Sequence, residues 1–306
     1  MNYDGKETYS CHPTVLNKLF IDSFEQHKTL RDADLLNPRL VGPRKNGCSC
    51  KDCITINSFD DDIFVVIQGH TEHIADILRS YGGYKNIIWA LDDKCSIKDY
   101  DMISSHSQIN TCVADVGDFG GFGNVNFQTR STVAGVKYAK SLGAKYCIKI
   151  RSDMAFFPLH KFINSMNFDK LGFLYHSDFG YFDFDKPDYG VHQYKRSFVE
   201  HYELEDNHNI SNDYVCDFCV TGPVDEVIDF FDWEESTLVP SIVEFKLLWH
   251  YMLRKGYYMD TSKESLFEKF YFFIDMLQKQ QIDLVSFKHN YKNLTNHKRP
   301  RGYLYS

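Results

Sequence analysis

The chain has 306 residues, 43% of them hydrophobic and 16% aromatic, enough to bury the core of one large α/β domain with appended pieces or of two small domains. A formal net charge of -8 excludes the basic surface that marks nucleic-acid binding. No apolar signal core lies in 1–17, and the longest strongly apolar run, 63–67, is far too short to span a bilayer. The nine cysteines are odd in number and scattered through strand-like segments, so they fit reduced thiols better than a disulfide framework. The sequence therefore reads as a soluble, cytoplasmic protein.

Residues 1–60 have weak periodicity and form an N-terminal extension that carries Cys48, Cys50 and Cys53. From 61 onward strands alternate with helices. The continuous β-rich run 63–67 predicts a strand covered on both faces, followed by a helix over 71–80, a second strand at 87–91 and a third at 111–116. A glycine-rich loop, "GDFGGFGN" at 117–124, precedes a predicted helix over 126–142, on which Gly135, Tyr138, Ala139 and Leu142 share one face. The strand 146–151 follows, then strands at 171–175 and 215–220, a helix over 239–255 and a short strand at 257–259. Thr261 and Glu264 have capping-box spacing ahead of an apolar run over 266–277, read as a helix. Three units result: an extension over 1–60, a mainly parallel α/β domain over 61–260, and a C-terminal helix with a basic tail over 261–306.

Ligands in such sheets bind beyond the carboxyl ends of the strands. Here those ends carry Gln68, Asp92 and Asp93, the glycine-rich loop, and Arg151-Ser152-Asp153, which all fall on one rim. Asp153, beside Arg151 and Lys149, suits a divalent ion bound to a diphosphate, since magnesium or manganese takes one or two protein carboxylates plus phosphate oxygens. A structural ion pair between Arg151 and Asp153 is the competing reading. The loop lacks the third glycine of a dinucleotide fingerprint and the Lys-Ser/Thr of a phosphate-binding loop, so a flexible turn is favoured there. Cys48, Cys50 and Cys53, joined by Cys216 and Cys219, could hold zinc, but the spacings match no standard closed site. Glu244 stands three residues after Ser241, which gives it either a capping role or that of a general base at a helix start.

The block 124–153 resembles the WavE-type lipopolysaccharide-synthesis family, glycosyltransferases of GT-A-like nucleotide-sugar fold. The matching residues are Asn124, Asn126, Gln128, Ser131, Thr132, Lys149, Arg151, Ser152 and Asp153, with Gln68-Gly69 and Glu244 to Trp249 similar to an earlier and a later family segment. The resemblance covers about 61–256. It departs from the pattern at Phe127, where the family has Arg and Arg130 stands one turn further on, and in Arg151-Ser152-Asp153, where GT-A enzymes have Asp-x-Asp.

The resemblance implies transfer of a sugar from a nucleotide-sugar donor to a hydroxyl of a glycan or glycolipid acceptor. Gln68 and Asp92 would bind the nucleoside, while Asn126, Arg130, Lys149 and Arg151 would position the diphosphate. Asp153 would hold Mn2+ or Mg2+. Glu244 would be the acceptor's base, which implies inversion, with Asp178 and Asp217 next in line. The alternatives are a non-catalytic sugar- or nucleotide-binding protein on the same scaffold and a zinc-organised interaction module. Lys288, Lys292, Lys298, Arg299 and Arg301, interleaved with tyrosines, suit peripheral contact with anionic membrane.

Overall fold

The computed structural model describes residues 62–81, 84–106, 109–157, 159–164, 166–175, 200–203, 215–241, 243–256, 271–274, 283–286 and 292–293. The extension over 1–60, with its cysteine cluster, the short strand expected at 257–259 and most of the basic tail lie outside them.

The apolar runs fold as strands. β1 (Ile63–Gln68) and β2 (Ile87–Asp92) are each buried along every residue but the last. β3 (Ile109–Ala114) and β4 (Tyr146–Arg151) extend the set, and the seven-stranded sheet has the order β3-β2-β1-β4-β7-β6-β8. β6 is Leu171–Tyr175, β7 is Val215–Pro223 and β8 is Tyr271–Ile274. β3, β2, β1 and β4 pair in parallel. β7 is antiparallel to both neighbours, and β8 is parallel to β6, so β7 alone runs against the rest. The mainly parallel α/β sheet read from the sequence is therefore present.

Alternation along the strands builds two cores. Val65 and Ile67 of β1, Trp89 of β2 and Ile148 and Ile150 of β4 face one side, where they meet Ile74, Ile77 and Tyr81 of α1 (Ile74–Tyr81) and Ile103 of α2 (Ile97–Ser104). Phe64, Val66, Ile88, Ala90 and Cys147 face the other. There they meet α3 (Val125–Ser141), α5 (Val224–Phe231) and α6 (Val243–Arg254). The short α4 (Leu159–Asn164) adds Phe162 to the first core, its ring stacked on Phe156 with centroids 3.8 Å apart. Phe156 belongs to β5 (Met154–Phe157), which forms a second, three-stranded sheet with β9 (Asp283–Ser286) and β10 (Lys292–Asn293).

The helix expected over 266–277 is corrected. Tyr271–Ile274 is a strand, paired in parallel with β6 in register from Leu171 to Leu174, and its aromatic and β-branched residue types favour strands. On α3, Gly135 and Ala139 face the second core, while Leu142, just past the helix end, is 44% exposed. Among the described residues no helix is long and apolar enough to cross a membrane.

Gly135 lets α3 reach the sheet. A Cβ there would stand 2.7 Å from Val66 Cγ1 and 2.8 Å from Ala90 Cβ. Overpacking of this kind costs about 1–3 kcal/mol, while alanine recovers roughly 1 kcal/mol of helix propensity over glycine. Gly135→Ala should thus lose up to about 2 kcal/mol in urea unfolding, and Gly135→Val more. Wild-type midpoints for both would show that the helix lifts without strain.

Candidate functional site

The strand order reverses between β1 and β4. β2 and β3 lie on one side of β1, and the chain then returns through α3 to place β4 on the other. The crevice outside the carboxyl ends at such a point is where open α/β sheets bind ligands. Register sets Gln68 beside Ala90 and Arg151, and Asp92 beside Ala114. The two strands close tightly there, since Ser152 N donates to the Gln68 carbonyl at 2.9 Å. A Cβ on Gly69 would stand only 2.6 Å from Ser152 Oγ.

The rim is charged on both sides of this seam. Arg151 grips Asp153 as a fork, Nε to Oδ1 at 2.9 Å and Nη2 to Oδ2 at 2.7 Å, with the Asp153 side chain 13% exposed. The guanidinium also lies over the Phe218 ring, 4.8 Å from its centroid. Asp92 accepts from Lys94 N at 3.0 Å through Oδ1, and His70 Nδ1 stands 3.8 Å from its Oδ2. Asp93 accepts from Val116 N at 3.3 Å, which ties the end of β2 to the start of the glycine-rich loop.

That loop runs along the rim with Gly117, Gly121, Gly123 and Asn124 at positive φ, and its last residues form a 3-10 turn (Phe122–Asn124) that enters α3. Asn124 is the residue before the helix but makes no side-chain capping bond. Asn126 instead reaches across to the segment 232–241. Its Nδ2 donates to the carbonyls of Phe119 (3.2 Å) and Glu235 (2.9 Å), and its Oδ1 accepts from Glu235 N at 2.6 Å. Arg130 clasps Glu234 with two bonds of 2.7 Å and donates to the Val116 carbonyl at 2.5 Å. Arg130's hydrogen bond holds the Glu234 carboxyl below its usual range.

Glu235 was not singled out by sequence, and it lies at the centre of this arrangement. Its side chain is 2% exposed. Oε2 accepts from Phe122 N at 2.6 Å, while Oε1 accepts from Val239 N at 3.0 Å and from Lys246 Nζ at 2.5 Å. Lys246 is 1% exposed, its ammonium 5.2 Å from the Phe122 ring centroid. Burial pulls its pKa below the ordinary value, against the opposing bond and charge of Glu235. No motif points to Glu235, because it sits in an irregular segment and its partner Asn126 is 109 residues away in sequence.

Glu244 lies in the first turn of α6, between Val243 and the Lys246 that binds Glu235. Val243 Cγ2 stands 3.2 Å from where a Cβ on Gly123 would be, so this helix start abuts the loop. Further along α6, His250 is stacked on Trp233 at 4.1 Å and hydrogen-bonded to Tyr202 Oη at 2.7 Å. Burial pushes its pKa down to about 4, so the ring is neutral at pH 7.

Gln68, Asp92, Arg151 and Asp153 thus stand together on the rim. Lys149 does not line it. Its side chain is fully buried on the α3, α5 and α6 face, with the ammonium 5.2 Å from the Phe231 ring centroid. Asn126 is 1% exposed and braces the loop from beneath. Among the described residues no group of three or more His, Cys, Asp or Glu side chains could hold a metal ion. Cys219 is buried in β7, where burial raises its thiol pKa, and Cys48, Cys50 and Cys53 lie outside the described residues.

No family model and no curated protein matches the chain. Among solved structures it is similar to WbbM, a bifunctional glycosyltransferase, at 12% identity and a TM-score of 0.38, over 72% of this chain and 40% of that one. The chain therefore spans less than half of WbbM. It is also similar to the galactosyltransferase LgtC, solved with donor and acceptor sugar analogues, at 10% identity and a TM-score of 0.38, over 69% of this chain and 73% of that one. A third likeness is to HddC from Yersinia pseudotuberculosis, solved with GMP-PN, at 15% identity and a TM-score of 0.30, over 64% of this chain and 77% of that one. The α/β assignment rests on the strand order and register themselves.

Proposed function

We propose that the chain is a GT-A-like glycosyltransferase of the WavE-type family, moving a sugar from a nucleotide-sugar donor to a hydroxyl of a glycan or glycolipid acceptor. One observation carries the reading. Gln68, Asp92 and Arg151 converge on the carboxyl-end rim at the point where the strand order reverses. Gln68 and Asp92 face the nucleoside, Asp92 accepting from ribose hydroxyls or the base. Arg151, with Arg130 at the start of α3, meets the diphosphate. Lys149 adds a buried positive charge beneath the rim, and Asn126 acts by holding the loop. Glu244 removes the acceptor's proton.

A divalent ion fits Asp153 in one way only. A single carboxylate suffices where diphosphate oxygens and water supply the remaining ligands, and the Arg151 fork must then release one carboxylate oxygen. Such an ion would stabilise charge on the leaving nucleoside diphosphate.

The test is transfer and hydrolysis of labelled UDP-, GDP-, CDP- and dTDP-sugars, with nucleoside diphosphates in parallel melts. A diphosphate at a hundred times its dissociation constant adds about 2.7 kcal/mol, a readable shift. Binding without turnover of any donor would favour the non-catalytic alternative. Asp153→Asn should lower transfer by about 100-fold or more, the scale of losing one preorganised electrostatic contact, in a protein that still melts cooperatively. An active Asn variant, or a wild type indifferent to EDTA, would remove the metal from this reading.

A further inference from the structure

We infer that Glu235 is the positioning residue of the donor site: its buried carboxylate, paired with Lys246, latches the glycine-rich loop in the shape that receives the diphosphate. The inference rests on reading the rim as a donor site.

The geometry is specific. One carboxylate joins three pieces of chain, taking Phe122 N from the loop, Val239 N from its own segment and Lys246 Nζ from α6. Asn126 fixes the backbone of the same residue on both its N-H and its carbonyl. Gly121 makes this approach possible, because a Cβ there would stand 2.6 Å from Glu235 Oε2. The loop around it has three glycines and Asn124 at positive φ, and none of its residues from 117 to 124 is buried, so little else restricts its shape. A buried ion pair is a poor source of stability, since apolar replacements of similar volume often fold as well. What this pair supplies is a fixed Phe122 amide, and through it a fixed path for the chain between Gly117 and the first turn of α3.

Single changes leave a charge buried without its partner, so the test uses variants of the full chain that remove both. Glu235→Leu with Lys246→Met removes every acceptor. Glu235→Gln with Lys246→Met keeps one amide oxygen for Phe122 N or Val239 N. Three readouts are taken: thermal melting, hydrogen exchange of the loop amides, and titration with UDP, GDP, CDP and dTDP, each with and without manganese chloride. The Leu/Met variant should melt cooperatively, exchange its loop amides about tenfold faster or more, and bind the diphosphate about tenfold more weakly. In turnover the donor KM should rise more than kcat falls. The Gln/Met variant should recover part of both effects. Wild-type exchange at the loop, or faster exchange with an unchanged dissociation constant, would overturn the inference and leave the pair a structural one. A wild type that binds none of the four diphosphates would overturn the donor-site reading itself. The exchange arm uses no ligand and still reports whether the carboxylate holds the loop.

Discussion

Lys246→Met is expected to lose about 3–5 kcal/mol of folding stability, the cost of leaving one partner of a buried ion pair uncompensated. The Glu235 side chain is 2% exposed, so water cannot take the place of the ammonium. Its two remaining donors, Phe122 N and Val239 N, offset only part of the charge. Glu235→Gln removes the bond and charge that oppose the lowering of the Lys246 pKa by burial, so the charged amine is less favoured there. Urea unfolding of Lys246→Met, Glu235→Gln and the double variant forms a cycle. The double variant should lose less than the two single losses added together, with a coupling of about 1–3 kcal/mol. Additive losses would mean that the short Lys246–Glu235 contact carries no interaction of its own.

The strands around the rim were legible because their physics is local. A run such as Ile63 to Ile67, apolar at every position, has one comfortable place in a folded protein, the middle of a sheet covered on both faces. Tyr146 to Arg151 was equally readable, as alternation ending in charge, and it leads to the rim where it was expected. The partners of the charged residues were not legible. Spacing places Arg130 one turn into α3 but does not show Glu234 waiting 104 residues away, and the same holds for Asn126 and Glu235. The Arg151–Asp153 fork was readable as an alternative, since two residues apart at a strand end are within reach of each other. The full burial of Lys149 was not legible, because alternation gives a face and no depth. The stretch 266–277 failed for a different reason. A short apolar run suits helix and strand alike, and the free edge of β6 decides between them at Tyr271–Ile274.

Glu244→Gln should leave the protein folded and slow sugar transfer by about a hundred- to ten-thousand-fold, the usual loss of general-base assistance. The carboxylate sits in the first turn of α6, where an acidic side chain is favoured by the helix N-terminus whatever its other role. An amide can still accept a hydrogen bond from the backbone there, so the cost in stability should be about 1 kcal/mol or less. It cannot take up a proton at neutral pH. The start of this helix abuts the glycine-rich loop through Val243, and two residues beyond Glu244 stands the lysine that holds Glu235. A base at this position is therefore carried on a helix whose first turns are tied to the loop. Two measurements on one preparation separate the roles: a melt, and transfer at saturating donor with the diphosphate dissociation constant determined alongside. Slow transfer with unchanged binding assigns the base. Near-normal turnover with a slightly lower melting point makes Glu244 a helix-start carboxylate only, and the search for the base then moves to Asp178 and Asp217.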